Sequence, residues 1–429
     1  MDKTLHTYKA KLSLMMFFQY MMFAVWWVPL AAYLSNIGIN GLQKSLVLSS
    51  MAIGCMASPM LGMIADRYFD GQKVLAVLNA LNAGFLLLAG LTNNPNWLFV
   101  FLLLAMLCYM PTWGLTSSIA MSHSQPDQFS RIRVFGAVGW VVSGVFSLMV
   151  VKLFNIGFDG TNIPFFFASA IGFLAVVFNV FLPATPPSGK GQKTSLIDAF
   201  GLRTIRLMKD RNFAVFITLS FLSMIPFSMY WSYCSEFLLD RKFEYISITM
   251  NIGQLAEMIF LLTVPFFIRK FGLRNTMIFG LFALLIRYAA FYTGSVTDSL
   301  LFYLIGILLH GLIFGYFYLG GQIYIDQQAP SELKAQSQGF IFFVTFGLGL
   351  LVGNFISGQI IEYNTSTIND IRTYNWDSIW GITSVMAAAL LLSFVLFFKN
   401  EKIAVSQIVD PNLKNEEWRT TEDAKDNRA

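Results

Sequence analysis

The chain alternates long apolar stretches with short polar ones. Predominantly apolar runs fall near 11–36, 42–65, 73–92, 97–122, 132–154, 164–184, 212–239, 245–268, 275–295, 299–325, 336–361 and 377–398. A helix of about 20 residues crosses a hydrocarbon core of about 30 Å. In lipid every backbone polar group must be satisfied within such a segment. The pattern predicts an all-α membrane protein of twelve transmembrane helices. Pro111 and Gly114 in the fourth run and Pro226 in the seventh predict bends there, because proline frees a carbonyl one turn back. The first run is too long for a signal-peptide core and lacks a small-residue cleavage pattern. It is read as the first membrane helix.

The longest interior polar stretch, 185–211, includes Pro186, Pro187, Ser188, Gly189 and Lys190 and leaves six runs on either side. The chain accordingly divides into a six-helix unit at 1–184, a linker at 185–211, a second six-helix unit at 212–399 and a polar tail at 400–429 that has little to bury. The halves echo each other. Gly62–Lys73 after the second run is answered by Pro265–Arg274 after the eighth, and Pro126, Asp127 and Arg131 by Pro330, Glu332 and Lys334. Parallel six-helix repeats are the architecture of a rocking transporter with its site between the halves near mid-membrane.

Composition agrees. Of 429 residues 56% are hydrophobic and 12% charged, about half the charged share of a soluble domain, which excludes a soluble enzyme. Cys55, Cys108 and Cys234 lie inside apolar runs without CxxC spacing, so neither a disulfide framework nor a metal site is indicated. With twelve spans, 23 Lys and Arg fall on the side of the termini and five on the other, with Arg287 inside a span. This bias predicts both termini in the cytoplasm. The small-residue series Gly54, Ser58, Gly62 and Gly349, Gly353 reads as close helix packing.

Charges within spans are expensive and mark function. Four positions qualify: Arg133, Glu257, Arg287 and His310. Gln254 and Glu257, three residues apart, share a helix face and offer an amide beside a carboxyl, a pairing not seen elsewhere in that helix. Glu257 is the candidate proton-coupling group, with Arg133 expected to approach it in one state. Arg133, Ala137 and Trp140 form one helical stripe and His310, Phe314 and Phe317 another. Each stripe carries an ionisable group that lipid would not tolerate, so both are turned toward a central cavity. Arg287 is read as packing through a buried acceptor. No H-E-x-x-H occurs and no Ser–His pair stands out in a span, so neither enzyme chemistry nor a cofactor is expected.

The connection with Gly62, Asp66, Arg67 and Lys73 resembles the loop between helices two and three of the major facilitator superfamily, with an insertion around Phe69 and Asp70. Asp66 and Arg67 are therefore candidate gating residues that latch one conformation. More specifically, Ser130–Trp140, Gly253–Phe267 and Ala335–Gly339, with Phe18-Gln19-Tyr20, Trp26 and Tyr109–Thr112, resemble the bacterial nucleoside:proton symporters over nearly the whole chain. The resemblance implies a major facilitator fold of two six-helix bundles in the bacterial inner membrane and proton-driven nucleoside import by alternating access. It implies a substrate site including Gln19, Arg133, Trp140, Gln254, Glu257 and Phe314. The chain departs from the family at Ala137, where a Thr is usual, and at Ser228 and Trp231, where the seventh helix carries amides. It departs again at His310 for a Tyr and at Gly315 for an Asp. Ser228, Trp231 and His310 join the candidate site. Such changes alter which hydroxyls or base edges are paired, so a sugar or another nucleoside-like compound is the alternative substrate. Partners are then substrate, proton and bilayer, with no nucleic acid and a monomeric carrier.

Overall fold

A computed structural model describes residues 2–187, 195–330, 333–369 and 371–399. Among these, eleven helices are long and apolar enough to cross a membrane. Spans one to six are Tyr8–Asn36, Gly41–Met63, Gly71–Leu91, Pro95–Ser122, Arg131–Phe154 and Ile163–Val180; span seven is Arg211–Asp240. Spans nine to twelve are Leu273–Thr297, Leu300–Gln328, Lys334–Tyr363 and Trp376–Phe397. Span eight is a pair of helices, Ile246–Leu261 and Val264–Phe271, bent by 52°. Local capping explains several starts. Asn94 accepts from the backbone N–H groups of Asn96 and Trp97, Asp210 from Phe213 and Asn375 from Ser378, each satisfying an amide that a helix leaves orphaned.

The helices run through Pro111 and Pro226 without interruption. The sharp break comes instead at Leu262 and Thr263, just before Pro265. There Thr263 Oγ1 donates to Phe260 O and pairs with Tyr316 OH at 2.7 Å, so the broken backbone has polar partners. Spans ten and eleven widen into π-helical turns at Ile313–Leu319 and Phe343–Gly349. The sequence pattern assigned nothing between spans eleven and twelve, yet Thr365–Ile368 and Ile371–Tyr374 form an antiparallel hairpin in which Thr365 faces Tyr374.

Spans one to six pack chiefly on one another, as do seven to twelve, giving the two bundles. The membrane face carrying residues 195–210 is termed the linker face. There Gly201 has φ +64°, and an added Cβ would lie 2.1 Å from Gln336 O, so only glycine fits. Thr204 Oγ1 meets Ser337 Oγ at 3.0 Å and ties the linker to span eleven.

Polar ties between the bundles gather toward the opposite face. Lys44 Nζ of span two donates to Glu236 Oε1 of span seven at 2.6 Å, both buried. Ser45 Oγ meets Tyr233 OH at 3.0 Å, and Asn354 Nδ2 donates to Ser49 Oγ at 3.4 Å. Asp159, between spans five and six, accepts from the backbone N–H and the hydroxyl of Ser247 at the start of span eight. Toward the linker face, Gly62, Gly114 and Gly339 meet open space. The polar ties between the bundles thus lie at the face opposite the linker.

Candidate functional site

A cavity between the bundles is lined by Trp27, Val28, Trp140, Tyr230, Trp231, Met250, Asn251, Gln254 and His310. Its aromatic wall crosses the bundle boundary: Trp140 of span five and Trp231 of span seven have ring centroids 5.8 Å apart. Asn251 Nδ2 donates to the carbonyls of Trp140 and Val141 at 3.2 and 3.1 Å, holding span eight against span five. Such faces suit a flat, partly apolar ligand.

The ionisable part of the site lies where spans eight and ten cross. Gln254 Nε2 donates to Glu257 Oε2 at 2.8 Å, and the same oxygen lies 3.5 Å from His310 Nε2. Glycine makes the crossing possible. A Cβ on Gly311 would come within 2.5 Å of the Glu257 backbone nitrogen. The His310 ring stacks on Tyr230 at 5.3 Å and Trp231 at 6.1 Å. On Tyr230 also sits the guanidinium of fully buried Arg287, 3.9 Å from the ring centroid. Arg287 Nε donates to Gly306 O, while its two terminal nitrogens have no hydrogen-bond partner among the described residues.

Of the residues named from sequence, Trp140, Trp231, Gln254 and His310 line this cavity, with Glu257 beside them. Phe314 touches His310, at 6.0 Å between centroids, but lines a neighbouring cavity nearer the linker face with Phe342 and Phe346. Gln19 and Ser228 are not brought to the cavity. The Gln19 amide is occupied inside the first bundle, donating to Asn79 Oδ1 and Thr112 Oγ1 and accepting from Asn79 Nδ2. Ser228 Oγ donates to Ile225 O and meets Ser357 Oγ at 2.9 Å, between spans seven and eleven. Arg133 is exposed, two turns toward the linker face from Trp140, and forms no ion pair among the described residues. Glu257 faces Gln254 and His310 rather than Arg133. Of the gating pair, Arg67 is half-buried at the end of helix Ser50–Tyr68, and the Asp66 side chain lies outside the described residues. The same connection is anchored by Gly71 N donating to Thr185 O and Thr185 N donating to Gln72 Oε1, both 2.8 Å.

Trp27, Tyr230 and Asn251 are cavity residues that sequence reading passed over. Asn251 had a signal, since it precedes Gln254 by three residues and continues the Gln254–Glu257 face by one turn. Asn251 Oδ1, Trp27 Nε1 and His310 Nδ1 are buried and have no hydrogen-bond partner among the described residues.

The model of the nucleoside H+ symporter family matches residues 6–403. The chain belongs to this family. Members couple nucleoside transport to protons, and this chain is a nucleoside:proton symporter with the major facilitator fold. The Escherichia coli K12 protein YegT is 35% identical over 410 residues, covering 93% of this chain and 96% of that one. The nucleoside permease NupG and the xanthosine permease of the same organism are 26% and 27% identical, covering 92% and 90% of this chain and 97% and 94% of theirs. A crystal structure of NupG superimposes with a TM-score of 0.81 at 25% identity, over 92% of this chain and 99% of that one. The inward-open xylose transporter XylE gives 0.69 at 14%, over 93% and 98%, a likeness of fold.

Proposed function

We propose that the symporter imports nucleosides across the bacterial inner membrane as a monomer, with Glu257 as its proton-coupling carboxyl and the linker face and both termini in the cytoplasm. On this reading the chain divides at the 185–211 linker, the cavity is open inward and the ties at Lys44, Asp159 and Tyr233 are the closed outer gate. The observation that carries the proposal is the grouping of Gln254, Glu257 and His310 at the edge of an aromatic cavity between the bundles. A base can stack on Trp140 or Trp231 while its edge or sugar reaches Asn251, Gln254 and His310. Arg133 faces the inward cleft, where it guides substrate departure or meets Glu257 in another state. Asp66 and Arg67 serve the inner gate. Protonation of Glu257 from outside, substrate binding and rocking of the bundles then yield alternating access.

The test is uptake by proteoliposomes carrying Glu257→Gln. Accumulation of uridine or adenosine against a gradient is abolished while counterflow exchange persists; uphill uptake at the wild-type level would reject the coupling role. Competition by nucleosides, xylose and other sugars measures the substrate class in the same assay, with nucleosides expected to compete.

A further inference from the structure

His310 lines the cavity and packs against Glu257, its Nε2 3.5 Å from Oε2. Its ring orientation is constrained by stacking on Tyr230, Trp231 and Phe227, the last at 6.4 Å. Its Nε2 is turned to Glu257 Oε2, and its Nδ1 is buried without a partner among the described residues. A neutral imidazole has one N–H and one acceptor nitrogen, and the bond at one nitrogen dictates the role of the other. With Glu257 ionised, Nε2–H points at the carboxylate and Nδ1 is an acceptor. With Glu257 protonated, the carboxyl O–H points at Nε2 and Nδ1 must carry the hydrogen.

Resting on Glu257 as the proton site, we propose that His310 carries the proton to Glu257 and reports its arrival to the substrate. Nδ1 takes an incoming proton, delivered as hydronium that is left as neutral water, as the Nε2–H bond breaks and that hydrogen passes to Glu257 Oε2. One proton enters, the carboxylate becomes a neutral acid, and the imidazole stays neutral with its hydrogen moved from Nε2 to Nδ1. The cavity then presents an N–H donor where it had an acceptor, so the loaded carrier selects a nucleoside atom with a lone pair: a sugar hydroxyl oxygen, a base carbonyl or a ring nitrogen. The neighbouring charged and titratable groups are Tyr230 of span seven, Glu257 of span eight and Arg287 of span nine behind Tyr230, while Arg133 of span five is exposed and forms no ion pair among the described residues. Among them Glu257 is the acid set against the imidazole.

The test is 15N NMR of histidine-labelled full-length protein, wild type and Glu257→Gln, across the pH range in which uphill uptake changes. In the wild type one imidazole moves its hydrogen from Nε2 to Nδ1 on acidification, and in Glu257→Gln none does. No tautomer change in the wild type, or one that survives Glu257→Gln, overturns the proposal. In proteoliposomes His310→Phe, which keeps the stacked ring, loses at least tenfold in uphill accumulation; wild-type accumulation by this variant also overturns it. Uphill uptake by Glu257→Gln would instead remove the coupling role of Glu257 itself, so the two failures are distinguishable.

Discussion

The ammonium of Lys44 and the carboxylate of Glu236 meet at 2.6 Å between spans two and seven, with side-chain exposures of 4% and 1%. The pair joins the bundles and must separate if that face opens. Lys44 Nζ also donates to Ser35 Oγ at 2.8 Å, which fixes the ammonium. Removing one member of a buried pair strands the other charge and costs about 3–5 kcal/mol, whereas replacing both is often close to neutral. Lys44→Met is therefore expected to lower the melting temperature in detergent, and Lys44→Met with Glu236→Met to recover most of the loss. A double variant as unstable as the single one would show that the pair is not what holds the face shut.

Asp159 supplies the second tie, accepting from Ser147 Oγ at 2.6 Å and from Ser247 N at 3.1 Å. Burial raises its carboxyl above the ordinary range, outweighing the lowering by the Ser147 and Ser247 hydrogen bonds. A carboxyl that holds its proton more tightly when the face is closed than when it opens to water favours closure by proton binding. That contribution is full below the ordinary carboxyl value and is lost as pH rises through the raised one. The melting temperature of the wild type should fall over this interval and level above it, and Asp159→Asn should lack that component. A pH profile unchanged in the variant would assign the dependence elsewhere.

Much of the architecture is legible because membrane crossing imposes a length: the apolar runs 275–295 and 377–398 become Leu273–Thr297 and Trp376–Phe397. The Gln254–Glu257 pair is equally legible, since three residues of helix fix a shared face. What spacing cannot supply is the third dimension. His310 and Glu257 are 53 positions apart and meet because Gly253 and Gly311 let spans eight and ten approach. A Cβ on Gly253 would come within 2.9 Å of Ile307 O. Gln19 shows the converse, a polar residue inside a span whose partners Asn79 and Thr112 lie in its own bundle.

The crossing itself is testable. Gly311→Ala places a methyl 2.5 Å from the backbone of Ala256 and Glu257, and backbone cannot yield as a side-chain end does. Overpacking of this kind costs about 1–3 kcal/mol, and the helices must separate to relieve it. Initial uptake rates should fall at least tenfold in Gly311→Ala at matched membrane abundance. Alanine at Gly339, which meets open space, should leave the rate within twofold. Equal rates for the two variants would mean that helix spacing does not govern transport.

Trp231 contributes a face from the second bundle, stacked on Phe227 at 5.6 Å, and its Nε1 donates to Met51 Sδ of the first bundle at 3.5 Å. Base–aromatic stacking is worth about 1–3 kcal/mol, roughly 5- to 150-fold in affinity. Trp231→Ala should raise the nucleoside Kd within that range in calorimetry of the purified protein, and Trp231→Phe should stay within a few fold. Unaltered affinity in Trp231→Ala would place the base on Trp140 instead.

Arg287 and Glu257 are the remaining pair to separate. The guanidinium is fully buried, holds one carbonyl through Nε and stacks on Tyr230, whose ring also stacks on His310 beside Glu257. A buried charge of this kind is tolerated when another compensates it. If Glu257 is that compensation, Arg287→Gln and Glu257→Gln each leave one uncompensated charge and the double variant leaves none. The losses in unfolding free energy should then be non-additive by about 0.5–3 kcal/mol, with the double variant more stable than the sum of the singles predicts. Losses that simply add would mean that Arg287 serves packing through Gly306 and Tyr230 and takes no part in the charge balance of the site.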